Sequence, residues 1–132
     1  MNFSEYRQYD ALGLAQLIKN KAITPLELLD IAISRAEEVN PKLNAVIYKM
    51  YDYAKQMLTE ASEGQPFYGV PFLVKDLGID IAGQPTTFGS RVMTQYVPPV
   101  DSEIAKNIRQ AGFLIMGRTN TPEFGLTPFT EP

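Results

Sequence analysis

The chain has 132 residues, is 45% hydrophobic and 20% charged, and carries a net charge of -3, which suits one small globular domain with a packed core and argues against disorder. The acidic balance, with no cluster of Lys and Arg, argues against a general nucleic-acid binder, because no basic surplus displaces counterions. There is no cysteine and no histidine, so disulfides, thiol nucleophiles, histidine or cysteine metal sites and a Ser-His-Asp triad are excluded within this chain, and a general base must be Asp, Glu, Lys or Tyr.

The first ten residues, MNFSEYRQYD, have neither the basic nor the apolar region of a secretory signal, and no apolar run approaches ~18 residues. A cytoplasmic protein with no membrane contact is expected. Asp10 opens a weakly amphipathic helix that reaches about Lys19, with Leu14, Leu17 and Ile18 on one face. Thr24-Pro25-Leu26-Glu27 predicts a second helix: Thr24 caps, Pro25 takes the first helical position, and Glu27 completes a capping box. Its apolar face runs to Val39, and Asn40-Pro41 is expected to stop it. Leu43 to Tyr48 reads as a short strand and Tyr51 to Ser62 as a helix, broken by Gly64 to Pro66.

Val70 to Val74 is a continuous apolar run between turn residues, the pattern of a strand buried on both faces. It ends abruptly in Lys75-Asp76. Ile79 to Ile81 reads as another short strand, Ala82 to Ser90 as a polar loop, and Tyr96 to Val100 as an extended connector. Asp101 is placed as the N-cap of a helix carrying Ile104, Ala105, Ile108 and Ala111, with Gly112 as its stop. Phe113 to Met116 is a further buried strand, followed by the turn-rich stretch Gly117 to Gly125. Strand, helix, strand over this interval predicts the α/β class. If the two strands are parallel, Lys75 and the Gly117–Gly125 loop share one edge of the sheet, where α/β proteins keep their chemistry. From spacing alone Lys75 is equally a strand end emerging into water. No Walker P-loop or GxGxxG motif is present, so nucleotide binding has no support.

Several of these segments together resemble the amidase signature hydrolases. Gly69-Val70-Pro71-Phe72-Leu73-Val74-Lys75-Asp76 resembles the family's GVP-x-x-x-KD segment, and Thr87-Phe88-Gly89-Ser90 its T-x-GS segment. Asp101 to Gly112, then Phe113 to Asn120 with Glu123-Phe124, resembles the helix, strand and G-K-T-N-x-x-E-F loop. The Pro-Glu-Phe-Gly and Thr-Glu-Pro stretches look most like amidases of the 6-aminohexanoate-cyclic-dimer hydrolase type. The resemblance implies the N-terminal portion of an α/β/α sandwich with a mixed β-sheet and a helical leader. Residues 1–132 would be part of one such domain, ending before its Gly/Ser-rich nucleophile segment.

The implied chemistry is hydrolysis of an amide by a Ser-cisSer-Lys mechanism, with no cofactor and no metal. Only the lysine maps here, onto Lys75; Ser62, Ser90 and Ser102 do not match the serine segment. A lysine base must be neutral, so working near pH 7 to 8 needs its pKa lowered by roughly 3 from about 10.4, about 4 kcal/mol of bias against the ammonium. Desolvation supplies that bias, whereas a facing Asp76 carboxylate would oppose it. Alternation along a strand should turn Asp76 away. Arg118 stands where the family usually has lysine, and its planar fork alters any polar contact made there. Phe124 and Leu126 fall in a loop that in the family borders the substrate channel, and each reads equally as packing under that loop. Alternatives of other classes are a truncated, non-catalytic chain that self-associates through exposed sheet edges, and a subunit of the amidotransferase that amidates aminoacyl-tRNA. The expected partner is a small amide, with homo-oligomerisation through the sheet edges as a further expectation.

Overall fold

A computed structural model describes residues 1–130. The Thr-Glu-Pro resemblance therefore lies partly outside the described residues, at Glu131 and Pro132. Five helices and three strands alternate in the order α1 (Phe3–Tyr6), α2 (Ala11–Lys19), α3 (Pro25–Leu43), β1 (Val46–Lys49), α4 (Tyr51–Glu60), β2 (Pro71–Lys75), α5 (Glu103–Ala111) and β3 (Leu114–Thr119), with single 3-10 turns at Arg91–Met93 and Glu123–Gly125.

The expected caps form where the partners are close in sequence. Asp10 accepts from the Gly13 N–H at 2.8 Å and starts α2. Thr24 accepts from the Glu27 N–H at 3.2 Å, while the Glu27 carboxylate accepts from the Thr24 N–H at 2.9 Å. Gly112 closes α5 in the left-handed region at φ 96°. A Cβ there would meet the Tyr68 backbone at 2.8 Å, so glycine serves both the turn and the close approach.

Five expectations are corrected. Helix α3 runs through Pro41 to Leu43. The proline removes one helical donor, but Asn40 holds the last turn in place. Its side chain accepts from the Val46 N–H and donates to the Val46 carbonyl, both at 2.8 Å, and Asn44 closes the helix at φ 46°. As a result β1 begins at Val46, not at Leu43. Ile79 to Ile81 forms no strand: only an isolated bridge joins Ile81 to Gln84. Ser102 caps α5, its hydroxyl oxygen accepting from the Ala105 N–H at 3.3 Å. Asp101 is occupied otherwise, accepting from the Ala82 N–H at 2.7 Å and pairing with Arg109 at 3.1 Å. Ile104, expected at a core position with Ala105, is exposed, whereas Ala105 is buried as expected.

The sheet has the order β1-β3-β2. β3 is central, antiparallel to β1 and parallel to β2, with Lys75 in register with Thr119. The β2–β3 pair, whose direction the sequence left open, is therefore parallel and joined through α5. Leu114, Ile115 and Met116 are buried in β3 and pack with Val74 of β2, Leu29 of α3, and Ala54 and Met57 of α4. A second apolar cluster joins Leu14, Ile18, Ile23, Leu28 and Val70 beneath the N-terminal helices.

Candidate active site at the strand ends

Strand β2 delivers Lys75 and Asp76 to opposite sides, as the pleat requires: Lys75 is exposed and Asp76 is 1% exposed. The Asp76 N–H still belongs to the ladder, donating to the Thr119 carbonyl at 3.1 Å. Its carboxylate faces inward, accepts from the Thr87 N–H at 3.0 Å and from the Thr87 hydroxyl, and lies opposite the Arg118 guanidinium, whose Nε is 3.9 Å away and makes no hydrogen bond to it. A buried carboxylate survives only with such partners. It does not compete for the Lys75 ammonium, and among the described residues Lys75 makes no ion pair.

Arg118, the residue that departs from the family pattern, is fully buried. Its Nη1 donates to the Ile79 carbonyl at 2.8 Å, fixing the chain just beyond Lys75-Asp76. Burial pulls its pKa below the ordinary arginine value, and the Asp76 and Asp80 carboxylates oppose that pull. This cation is a structural strut, not part of a surface.

The segment Thr87–Ser90 is a turn with a carboxylate at each end. Its Ser90 N–H donates to the Thr87 carbonyl at 2.9 Å. Asp76 grips Thr87, and the Ser90 hydroxyl, 4% exposed as a residue, donates to Glu123 Oε1 at 2.6 Å. The Phe124 N–H donates to the Phe88 carbonyl at 2.8 Å. The Phe88 and Phe124 rings lie 6.1 Å apart at 22°. Gly89 lets the two loops approach: at φ 66°, a Cβ would sit 2.6 Å from the Thr121 carbonyl oxygen.

Of the residues singled out in the sequence, Lys75 lies at the strand end, and Phe124 and Leu126 lie on the loop that follows β3. Phe124 is 45% and Leu126 80% exposed, so neither is packed under the loop by the described residues. A cavity of about 620 Å³ lies elsewhere, bounded by Ile18, Ile23, Pro25 and Tyr68, and does not include Lys75. Sequence reasoning missed the Asp76–Arg118 pair, the Ser90–Glu123 contact and Phe88. The KD, T-x-GS and G-K-T-N-x-x-E-F segments contain these residues, but their partners are long-range and no local spacing joins them.

A small mixed sheet with a lysine at the end of a parallel strand, between two mutually bonded turn-rich loops, defines an α/β protein with its polar machinery at one sheet edge. The chain belongs to the amidase family, whose model, described as "Amidase", matches residues 27–132. It is 41% identical over 126 residues to a lipoamidase of Enterococcus faecalis, covering 92% of this chain and 17% of that protein. It is 38% identical over 125 residues to the 6-aminohexanoate-cyclic-dimer hydrolase of Paenarthrobacter ureafaciens, covering 93% of this chain and 25% of the relative. A solved structure of 6-aminohexanoate cyclic dimer hydrolase complexed with substrate superposes with a TM-score of 0.88 at 37% identity, covering 94% of this chain and 26% of that one. The chain thus spans about a quarter or less of the relatives it matches. No helix among the described residues is long and apolar enough to cross a membrane.

Proposed function

We propose that this chain is the N-terminal portion of a single amidase signature domain that hydrolyses carboxylic amides by a Ser-cisSer-Lys mechanism, with Lys75 as the base and both serines on a segment outside residues 1–132. The observation that carries the reading is the split at the end of β2. Lys75 projects from one side of the strand while Asp76 is consumed on the other by Thr87 and Arg118. The Asp76 carboxylate, engaged on the other face, forms no ion pair with Lys75.

In this mechanism the neutral Lys75 amine takes the proton relayed from the nucleophilic serine through the second serine, and the serine oxygen attacks the amide carbonyl. The tetrahedral intermediate collapses as the amine leaves with a proton returned from the lysine. Water then repeats the sequence on the acyl-enzyme. Lys75 is exposed in this chain. The desolvation that its role needs therefore comes from the segment bearing the serines, laid against this sheet edge. Phe124 and Leu126, beyond the strand whose Thr119 pairs with Lys75, form part of the substrate wall. The chain alone hydrolyses no amide.

The test is Lys75→Ala in the full gene product, assayed by ammonia release from simple primary amides. Loss of at least about a thousandfold in kcat with unchanged far-UV circular dichroism is expected. Near-normal turnover would refute the assignment. Glutamine turnover only in the presence of partner subunits would instead place the protein among the amidotransferases.

A further inference from the structure

The two loops at the Lys75 edge meet at two phenylalanines that share an uncommon backbone state. Phe88 has φ 54° and Phe124 φ 49°, both in the left-handed region that disfavours a residue with a bulky side chain. Glycine follows each of them, so the chain already accepts glycine locally, yet a large ring is retained at both strained positions. The rings face one another at 6.1 Å, the Phe124 N–H bonds the Phe88 carbonyl, and the nearly buried Ser90 hydroxyl bonds Glu123 at 2.6 Å. These contacts lock one loop against the other. Backbone strain held by surrounding contacts is the pattern of a residue placed for a purpose beyond packing.

We propose that Phe88 is a specificity-determining residue, held with Phe124 as a two-ring wall by the Ser90–Glu123 contact, and that the preferred substrates are amides carrying an apolar chain or ring. The inference rests on the amide-hydrolase reading above and adds a substrate class and three residues to it. The position follows from the topology. Asp76, next to Lys75, bonds Thr87, next to Phe88, and Phe124 lies a short loop beyond Thr119, which pairs with Lys75. Gly125 brings the second loop against Leu77, two residues past Lys75. Ser90 and Glu123 are positioning residues: they act through the rings and touch no reacting atom.

The experiment compares kcat/KM of the full gene product for acetamide, pentanamide and N-butylacetamide. The wild type should favour one or both of the longer amides. Phe88→Gly, which removes the ring and suits the left-handed backbone, should lower that preference about tenfold. Ser90→Ala and Glu123→Ala should lower it in the same sense, and Glu123→Gln, which keeps an acceptor for Ser90, should restore it. A general loss of stability would depress all three substrates together and leave the ratios unchanged. Unchanged ratios in Phe88→Gly with an active wild type overturn this inference alone. Absence of turnover on every amide by the wild type overturns the hydrolase reading and this inference with it. Should Phe88→Gly fail to accumulate as folded protein, Phe88→Leu provides the same comparison, with an unchanged ratio again counting against the wall.

Discussion

Replacing Arg118 by methionine tests the buried pair most directly. Methionine keeps much of the apolar volume and removes the charge, leaving the Asp76 carboxylate, 1% exposed, with only the Thr87 donors. With Nε 3.9 Å from the carboxylate, Coulomb's law at an effective dielectric of about 20 gives an attraction of about 4 kcal/mol. Breaking a buried pair by removing one partner costs about 3–5 kcal/mol by experience in other proteins, so the two routes agree. A loss of that size is a large fraction of the ~5–15 kcal/mol that holds a domain together. Urea unfolding followed by circular dichroism should show the midpoint falling by about 2 M for a slope of about 2 kcal/mol/M. The double variant Asp76→Asn/Arg118→Met buries no charge and should recover at least half of the loss, giving a coupling of about 2 kcal/mol or more. A single-variant cost below about 1 kcal/mol, or strict additivity in the double variant, would refute the argument that each ion is there to neutralise the other.

Three further outcomes follow from the geometry. Hydrogen bonds from Thr24 lower the Glu27 pKa below the ordinary carboxylate range, so its contribution to stability is present above the unfolded pKa and lost as pH falls through the folded one. Glu27→Gln should flatten the acid limb of thermal stability below the unfolded carboxyl value of about 4.3, and an identical limb would count against the capping box as a source of stability. Gly89→Ala places a methyl group 2.6 Å from the Thr121 carbonyl oxygen at φ 66° and should cost about 2 kcal/mol or more in urea unfolding, whereas a neutral result would mean that the two loops are not in contact. The chain expressed as residues 1–132 should self-associate on size-exclusion chromatography, because β1 and β2 each have one side unpaired among the described strands. A strictly monomeric profile at high concentration would argue against exposed sheet edges.

What was legible in the sequence was local. The capping box at Thr24, the glycine stop at Gly112 and the opposed directions of Lys75 and Asp76 follow from spacing and pleat, which need no distant partner. What was not legible depended on residues far away in the chain. Asn40-Pro41 reads as a stop until the Asn40 side chain finds Val46. Asp101 reads as a cap until Ala82 and Arg109 claim it. Arg118 reads only as a departure from the family's lysine, and the fold alone shows it enclosed beside Asp76. Phe124 could be singled out from its loop, but Phe88, which it faces, carried no signal of its own.

The strand order also bears on how the protein is made. Among the described residues β1 and β2 do not pair with each other; each pairs with β3, the last of the three to be synthesised. On a translating ribosome, β1 and β2 must wait for Thr119 to emerge before either finds a ladder. At about 5–20 residues per second, the interval after Lys75 lasts several seconds. During that time the apolar β2 segment is an open edge to any neighbouring chain. The helices α2 and α3 with their Leu14–Ile18–Leu28 cluster are complete in the chain earlier, before the edge that carries Lys75 exists at all.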